Sequence, residues 1–218
     1  MPKLKPETQI ARRDAILDAS ELCFARSGFH RTTMQDICRE AGISPGAFYV
    51  YFSSKEDLIA GICERDRAQF AERFENLAEA TDILGALTRL AEVYLIEQGD
   101  HKQKLFVEIG AESTRNADVR EMFAKVDQFV EASFTALIAR FEAQGRVKLQ
   151  HDATVTARLI LILGDGLFWR SGVMPDFELE ETLPAVIATC GTLLGIETVA
   201  NPRLELQTTT ANMEAVKS

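Results

Sequence analysis

Residues 32–58, TTMQDICREAGISPGAFYVYFSSKEDL, constrain this chain more than any other stretch. They hold three short helical patterns, with a start or stop signal at each junction. Thr32 and Thr33 can each cap a helix, with Gln35 or Asp36 three residues on to close a capping box. Ile37 points inward, and Ala41-Gly42 ends that helix, with Gly42 where a left-handed backbone is commonest. Ser44 caps the next helix, and Pro45 takes its first position, where a missing N–H costs nothing. That helix, 45 to about 50, is very short. Ser53 or Ser54 caps a third, with Glu56 and Asp57 placed to complete a box and favour the positive helix end. Two brief helices joined by a Gly-containing turn read as a helix-turn-helix, whose second helix enters the major groove of DNA.

The net charge of −9 opposes a nucleic-acid partner at first sight. Its distribution removes most of that objection. Residues 1–60 hold eight Lys/Arg and eight Asp/Glu, so the whole excess of acid lies outside the proposed reading head. At 218 residues the chain can bury a core as one large or two small domains. No segment reaches the ~18–20 apolar residues of a membrane span, and no apolar run follows the first residues to make a signal peptide. A cytoplasmic protein without a membrane partner is expected. The cysteines 23, 38, 63 and 190 show no CxxC spacing and read as reduced, mostly buried thiols. His30, His101 and His151 have no partner at ligand spacing, so neither metal nor other cofactor is expected.

In chain order, residues 1–7 read as a mobile arm, and a helix from about Thr8 to Arg26 braces the reading helices. Phe29 should share a small core with Met34, Ile37, Ile43 and Phe48. After Ser54, helical patterning continues to about residue 79, long enough for a rigid lever between head and remainder. Further helices are expected over 83–97, 101–114, 119–143, 153–171 and 178–195, with Gly172 to Asp176 as a break. Strand alternation and fixed-period repeats are absent from the sequence. The fold class is all-α, about nine helices: a head at 1–55, a helical bundle at 56–196 and a disordered tail at 197–218.

The head carries a family resemblance. Thr32-Thr33 before Asp36-Ile37, Ala41-Gly42-Ile43-Ser44, Gly46, Phe48-Tyr49-Val50-Tyr51-Phe52, and Lys55-Glu56 with Leu58 keep the order and spacing of the DNA-binding signature of TetR-family transcriptional repressors. The match extends upstream through Ala15-Ile16-Leu17, Ala19, Phe24 and Gly28-Phe29. The resemblance implies that Thr32 or Thr33, Ser44, Tyr49, Tyr51 and Lys55 meet mainly the DNA backbone, and that Pro45, Gly46, Ala47 and Tyr49 meet bases. Pro45 and Ala47 stand where many members carry a longer polar or basic side chain, and neither makes a bidentate base contact. Readout should therefore lean on thymine methyls, Arg31 or Thr33, and DNA shape.

The resemblance also implies a homodimer, with the last two helices pairing with their symmetry mates. The band Leu159, Ile160, Leu163, Leu167, Val186, Ile187, Cys190 and Leu194 fits that role. Such a dimer sets two heads roughly 34–36 Å apart on a palindromic operator in double-stranded DNA. Gly164-Asp165-Gly166 follows no strand and lacks a third glycine, so it reads as a close helix approach rather than a phosphate loop. Helical regulators need an apolar cavity with a few polar groups. Candidates for binding a small, aromatic or hydrophobic effector are Tyr94, Phe106, Glu108, Phe129, Phe134, Asp165, Phe168 and Trp169. A buried Glu108 or Asp165 would suit a cationic or hydroxyl-bearing ligand. No nucleophile–base constellation supports an enzyme. The expected function is a ligand-responsive repressor; a DNA-binding architectural protein without an inducer is the alternative.

Overall fold

The computed structural model describes residues 6–196, and these form nine α-helices with no strand among them. The expectations for residues 1–5 and for the tail from 197 lie outside the described residues. Helix α1 is Pro6–Ser27, α2 Met34–Glu40, α3 Pro45–Phe48, α4 Lys55–Glu79 and α5 Ile83–Glu92. Helix α6 is Asp100–Ser113, α7 Ala117–Ala143, α8 Ala153–Val173 and α9 Leu179–Leu193.

Side-chain caps set most of these starts. Thr33 caps α2 and forms the box with Asp36, Ser44 caps α3, and Ser54 caps α4. Asp82, Asn116 and Asp152 do the same for α5, α7 and α8. Gly42, with φ of +64°, lets the chain reverse between α2 and α3.

Three boundaries differ from the sequence reading. Helix α1 already begins at Pro6, where proline suits the first turn. Helix α3 stops at Phe48 after one turn. Helix α8 runs through Gly172, read above as part of a break. That glycine marks a helix crossing instead, because a Cβ there would come within 3.0 Å of the Gln103 carbonyl oxygen on α6. Gly164 and Gly166 have nothing within 4 Å of such a Cβ, so neither makes a close approach inside the subunit. Helix α5 continues as a π-helical stretch, Val93–Glu97, a widened turn of a kind often found beside functional sites.

The head's core holds Ile16, Phe24, Phe29, Ile37, Phe48 and, from the first turns of α4, Leu58, Ile59 and Ile62. Leu105 and Ile109 of α6 and Val119 of α7 belong to the same cluster, so α6 and α7 complete the packing of the head. A second cluster, around Phe70, Phe134, Ile138, Phe141, Ala157 and Cys190, fills the space between α4, α5, α7, α8 and α9. Burial pushes the Cys63 and Cys190 thiols up to about 11, which leaves neither as a ready thiolate.

A buried ionic cluster joins the two regions. Glu21 of α1 is 2% exposed, and its carboxylate accepts from Arg65 Nη2 of α4 and Lys102 Nζ of α6, each at 2.7 Å. Arg65 also pairs with Asp18 at 2.7 Å, and Lys102 with Asp66 at 3.0 Å. Removing one member of such a cluster leaves buried charge unmatched, typically at 3–5 kcal/mol. Glu21→Ala is therefore expected to destabilise the protein by roughly that amount. Urea unfolding at fixed protein concentration, followed by circular dichroism, measures it. An unchanged midpoint would show that Arg65 and Lys102 need no partner from α1.

Candidate nucleic-acid interface and apolar cavity

The head's outer surface is built by α2, α3 and the turn after it. Helix α3 anchors itself through Phe48, which is fully buried, while Tyr49 is 58% exposed and Val50 77% exposed. Large apolar side chains left in water beside a buried anchor form a surface with a use. Pro45 and Gly46 are also exposed, Ala47 is half-buried, and the Ser44 hydroxyl accepts the Ala47 N–H at 3.3 Å. Arg31 is exposed and uses only its Nε internally, towards the Ser27 carbonyl at 3.2 Å. Thr33 is exposed at the start of α2. Its hydroxyl and N–H donate to Asp36 at 2.6 and 3.0 Å, and those bonds hold the Asp36 carboxyl below the usual carboxylate range.

Three residues expected at DNA are placed otherwise. Thr32 is 2% exposed, and its hydroxyl donates to the carbonyls of Gly28 at 2.8 Å and Cys23 at 3.1 Å, so it ties α2 to α1. Lys55 turns inward: Nζ donates to the Phe29 carbonyl at 2.6 Å and lies 4.5 Å from the centre of the Phe29 ring. Tyr51 is half-buried against the head's core. Val50, which the sequence reading left out, is the more exposed neighbour. Nothing in a valine's chemistry flagged it, beyond its place on so short a helix.

Helix α6 grips the same head from behind. The Phe29 N–H donates to Glu108 Oε1 at 2.5 Å, and His30 Nε2 lies 2.8 Å from Glu112 Oε2. Glu112 is 2% exposed and also accepts from Arg115 at 2.9 Å. Both carboxylates hold the 28–31 loop that leads into Thr33.

A cavity of about 220 Å³ lies between α4, α5, α7, α8 and α9. Tyr94, Phe134, Asp165 and Phe168, four of the eight predicted ligand residues, are brought together on its wall. Phe70, Leu87, Leu90 and Leu183 join them without having been singled out, because isolated apolar side chains on a helix do not advertise a void. The π-helical stretch contributes Tyr94 and Leu95. The Tyr94 hydroxyl is buried without a hydrogen-bond partner among the described residues, and burial raises its pKa, so it is a protonated donor. Asp165 keeps solvent contact at the rim; desolvation by the apolar wall, then the Asp127 carboxylate, push it up to about 6.

The other four ligand candidates lie elsewhere. Phe106 packs on Phe123 and Phe168, Glu108 serves the head, and Phe129 stacks edge-on to Phe70 with Arg67 over its ring. Trp169 points outward and is 54% exposed.

The expected dimer band also needs correction. Ile160, Leu167, Val186, Ile187 and Cys190 line the cavity, and Leu194 is buried in the subunit's core. Leu163 packs half-buried on that core, and Leu159 is half-buried beside the outer face. The face of α8 that is open carries Val155, Ile162, Trp169 and Val173 at helical spacing, with Ile162 63% exposed. A helix apolar on nearly every side does not tell its inward face from its open one in the sequence, and the expected band falls largely on the inward face.

Comparison with known proteins agrees with this geometry. The family described as "Bacterial regulatory proteins, tetR family" matches residues 16–62. The HTH-type transcriptional regulator UidR of Escherichia coli K12 is 29% identical over 181 residues, covering 83% of this chain and 88% of UidR. The structure of Salmonella enterica GusR superposes with a TM-score of 0.72 at 29% identity, covering 88% of this chain and 99% of GusR. FadR from Bacillus subtilis, solved in complex with stearoyl-CoA, shares the fold with a TM-score of 0.70 at 19% identity, over 84% of this chain and 99% of that one. The exposed one-turn helix α3 thus lies in a head, residues 16–62, that matches the tetR family of bacterial regulatory proteins, and the chain is similar over most of its length to transcriptional regulators.

Proposed function

We propose that this protein is a homodimeric repressor that binds a palindromic operator in the cytoplasm and is released by a small effector. The observation that carries the effector is the apolar cavity, whose wall includes a buried hydroxyl without a partner. The same cavity favours an inducible regulator over an architectural DNA-binding protein, which has no use for one. FadR of Bacillus subtilis, solved with stearoyl-CoA, is a relative in fold that holds a ligand with a long apolar chain. The head, residues 1–55, passes into the effector and dimerisation region, 56–196, within α4, whose 25 residues span about 37 Å.

The reading surface is formed by Arg31, Thr33, Ser44, Pro45, Gly46, Ala47, Tyr49 and Val50. Tyr49 supplies a hydroxyl for a phosphate oxygen, and Val50 and Ala47 supply apolar surface for thymine methyls. Thr32 and Lys55 position this surface without touching DNA. Occupancy of the cavity shifts the population towards a head spacing that no longer fits the operator, through tighter binding of effector to that state.

The dimer forms through the open face of α8. Ile162→Glu sets a carboxylate in the middle of it and is expected to give a folded monomer with little operator affinity. Sedimentation velocity and a gel shift on the same sample test this; a dimer that still binds would move the interface elsewhere.

DNA contacts are tested against upstream intergenic DNA at several salt concentrations. Arg31→Ala should lower the slope of log affinity against log salt by about one. Tyr49→Phe should weaken binding about ten- to a hundredfold, the worth of one hydrogen bond to a charged group. Lys55→Ala should lower the thermal midpoint and leave the salt slope in place. Were Lys55→Ala to reduce the slope instead, its ammonium would have to leave the Phe29 carbonyl and reach a phosphate.

A further inference from the structure

Apolar cavities accept many molecules, and the polar groups on the wall decide which. Here those groups are few. Among the lining residues there is no Lys, Arg or His; the ionisable side chains are the Asp165 carboxyl, the Tyr94 hydroxyl and the Cys190 thiol, and burial pushes the thiol up to about 11 and so keeps it neutral. Among the described residues Asp165 forms no ion pair, and neither does Asp127 of α7, the like charge that bears on it. A carboxylate at the rim of an apolar chamber, desolvated by its wall and in the field of a second carboxylate, is stabilised by a positive partner.

The rest of the wall suits a cation as well. Phe70, Phe134, Phe168 and Tyr94 offer ring faces or edges to the chamber, and ring faces attract organic cations. The nearest basic group to Tyr94 is Arg73, whose guanidinium carbon sits 5.1 Å from the ring centre. Arg73 borders a separate polar cleft with Gln69, Gln98 and Lys102; it backs the Tyr94 ring but is not among the residues that line the cavity. An anionic head group would therefore face Asp165 without compensation. A neutral one would leave that carboxylate as it is.

We propose that the effector is a hydrophobic organic cation, with its apolar body among Phe70, Phe134 and Phe168 and its positive charge on the Asp165 carboxylate. This rests on the cavity being the effector site. It makes Asp165 the residue that selects the ligand's charge, and the Tyr94 hydroxyl a secondary hydrogen-bond donor for any oxygen the ligand carries.

Three probes of one chain length separate the chemistries: octyltrimethylammonium, octan-1-ol and octanoate. Each is titrated calorimetrically into the full-length protein, wild type and Asp165→Asn, with thermal unfolding of the variant as a folding control. The cation should bind once per subunit, at least about tenfold tighter than octanoate, a factor well within the attraction of one partly buried charge pair. Asp165→Asn should remove most of that margin and leave octan-1-ol unchanged, and Asp165→Glu should keep it. Tighter binding of octanoate, or a cation affinity indifferent to Asp165→Asn, overturns the proposal. So does failure of all three probes to bind. The gel shift without any probe is scored separately: operator binding that survives such failures leaves the regulator intact, and its loss sinks the repressor whatever the calorimetry shows.

Discussion

A carboxylate 2% exposed cannot be kept charged without partners, and Glu21 has two cations from two other helices. The attraction offsets desolvation only at hydrogen-bonding distance. The positions of α1, α4 and α6 are therefore set against one another to within a few tenths of an ångström. The head is held by this cluster and by the face of α6 that continues it. Lys102, Leu105, Ile109 and Glu112 recur at steps of three and four, one stripe of the helix, and Glu108 lies beside them. The two apolar members enter the head's core, and the charged ones meet Glu21, His30 and the Phe29 N–H. A stripe that mixes buried charge with apolar contact allows one register, whereas an apolar stripe alone would tolerate sliding.

The opposite side of α6 faces the cavity wall. Gln103 is 3% exposed, and its Nε2 donates to the Leu95 carbonyl at 2.7 Å, in the π-helical stretch. Phe106 packs on Phe168 with ring centres 5.3 Å apart, and Gly172 brings α8 against the Gln103 backbone. Leu95 and Phe168 line the cavity. One helix thus touches the chamber wall on one side and the loop before Thr33 on the other. For the effector response proposed above, contact of this kind would supply a physical route between the two sites, with the coupling set by whichever arrangement of α6 the ligand favours.

Much of the head is legible in the sequence because its signals are local. A cap and its box partner are three residues apart, and the turn glycine and first-position proline act on their own backbone, so Thr33, Gly42, Ser44, Pro45 and Ser54 fall where the pattern puts them. What fails is decided at long range. Thr32 and Thr33 are equivalent caps on paper, and the carbonyls of Cys23 and Gly28 remove one of them. Lys55 looks like a free cation at a helix start until the Phe29 carbonyl arrives from 26 residues away. Glu21 is one acid among eight in the first sixty residues, and nothing near it in sequence announces Arg65 or Lys102. Phe106 and Phe129 lie on helical faces as apolar as those of Phe134 and Phe168, and only assembly decides which of them borders empty space.

Helix α8 shows why a strongly apolar helix is the hardest to assign. Its pattern is apolar on nearly every side, so the period that usually tells inside from outside is silent. The structure divides it into an inner side, with Ile160, Gly164, Leu167 and Phe168 on the cavity, and an outer side, with Val155, Ile162, Trp169 and Val173 in water. In the homodimer proposed above, burial against another copy would cover that side. The ligand and the partner subunit would then press on opposite faces of one helix, separated by its own width of about 10 Å. Repacking the inner side around a ligand has to tilt or shift α8. Because the proposed dimer shares its outer side with the partner, such a movement would change the relation of the two subunits as well as the grip of α6. The apolar character that hides the facing of α8 in the sequence is what would place it, in the proposed dimer, between the cavity and the second subunit.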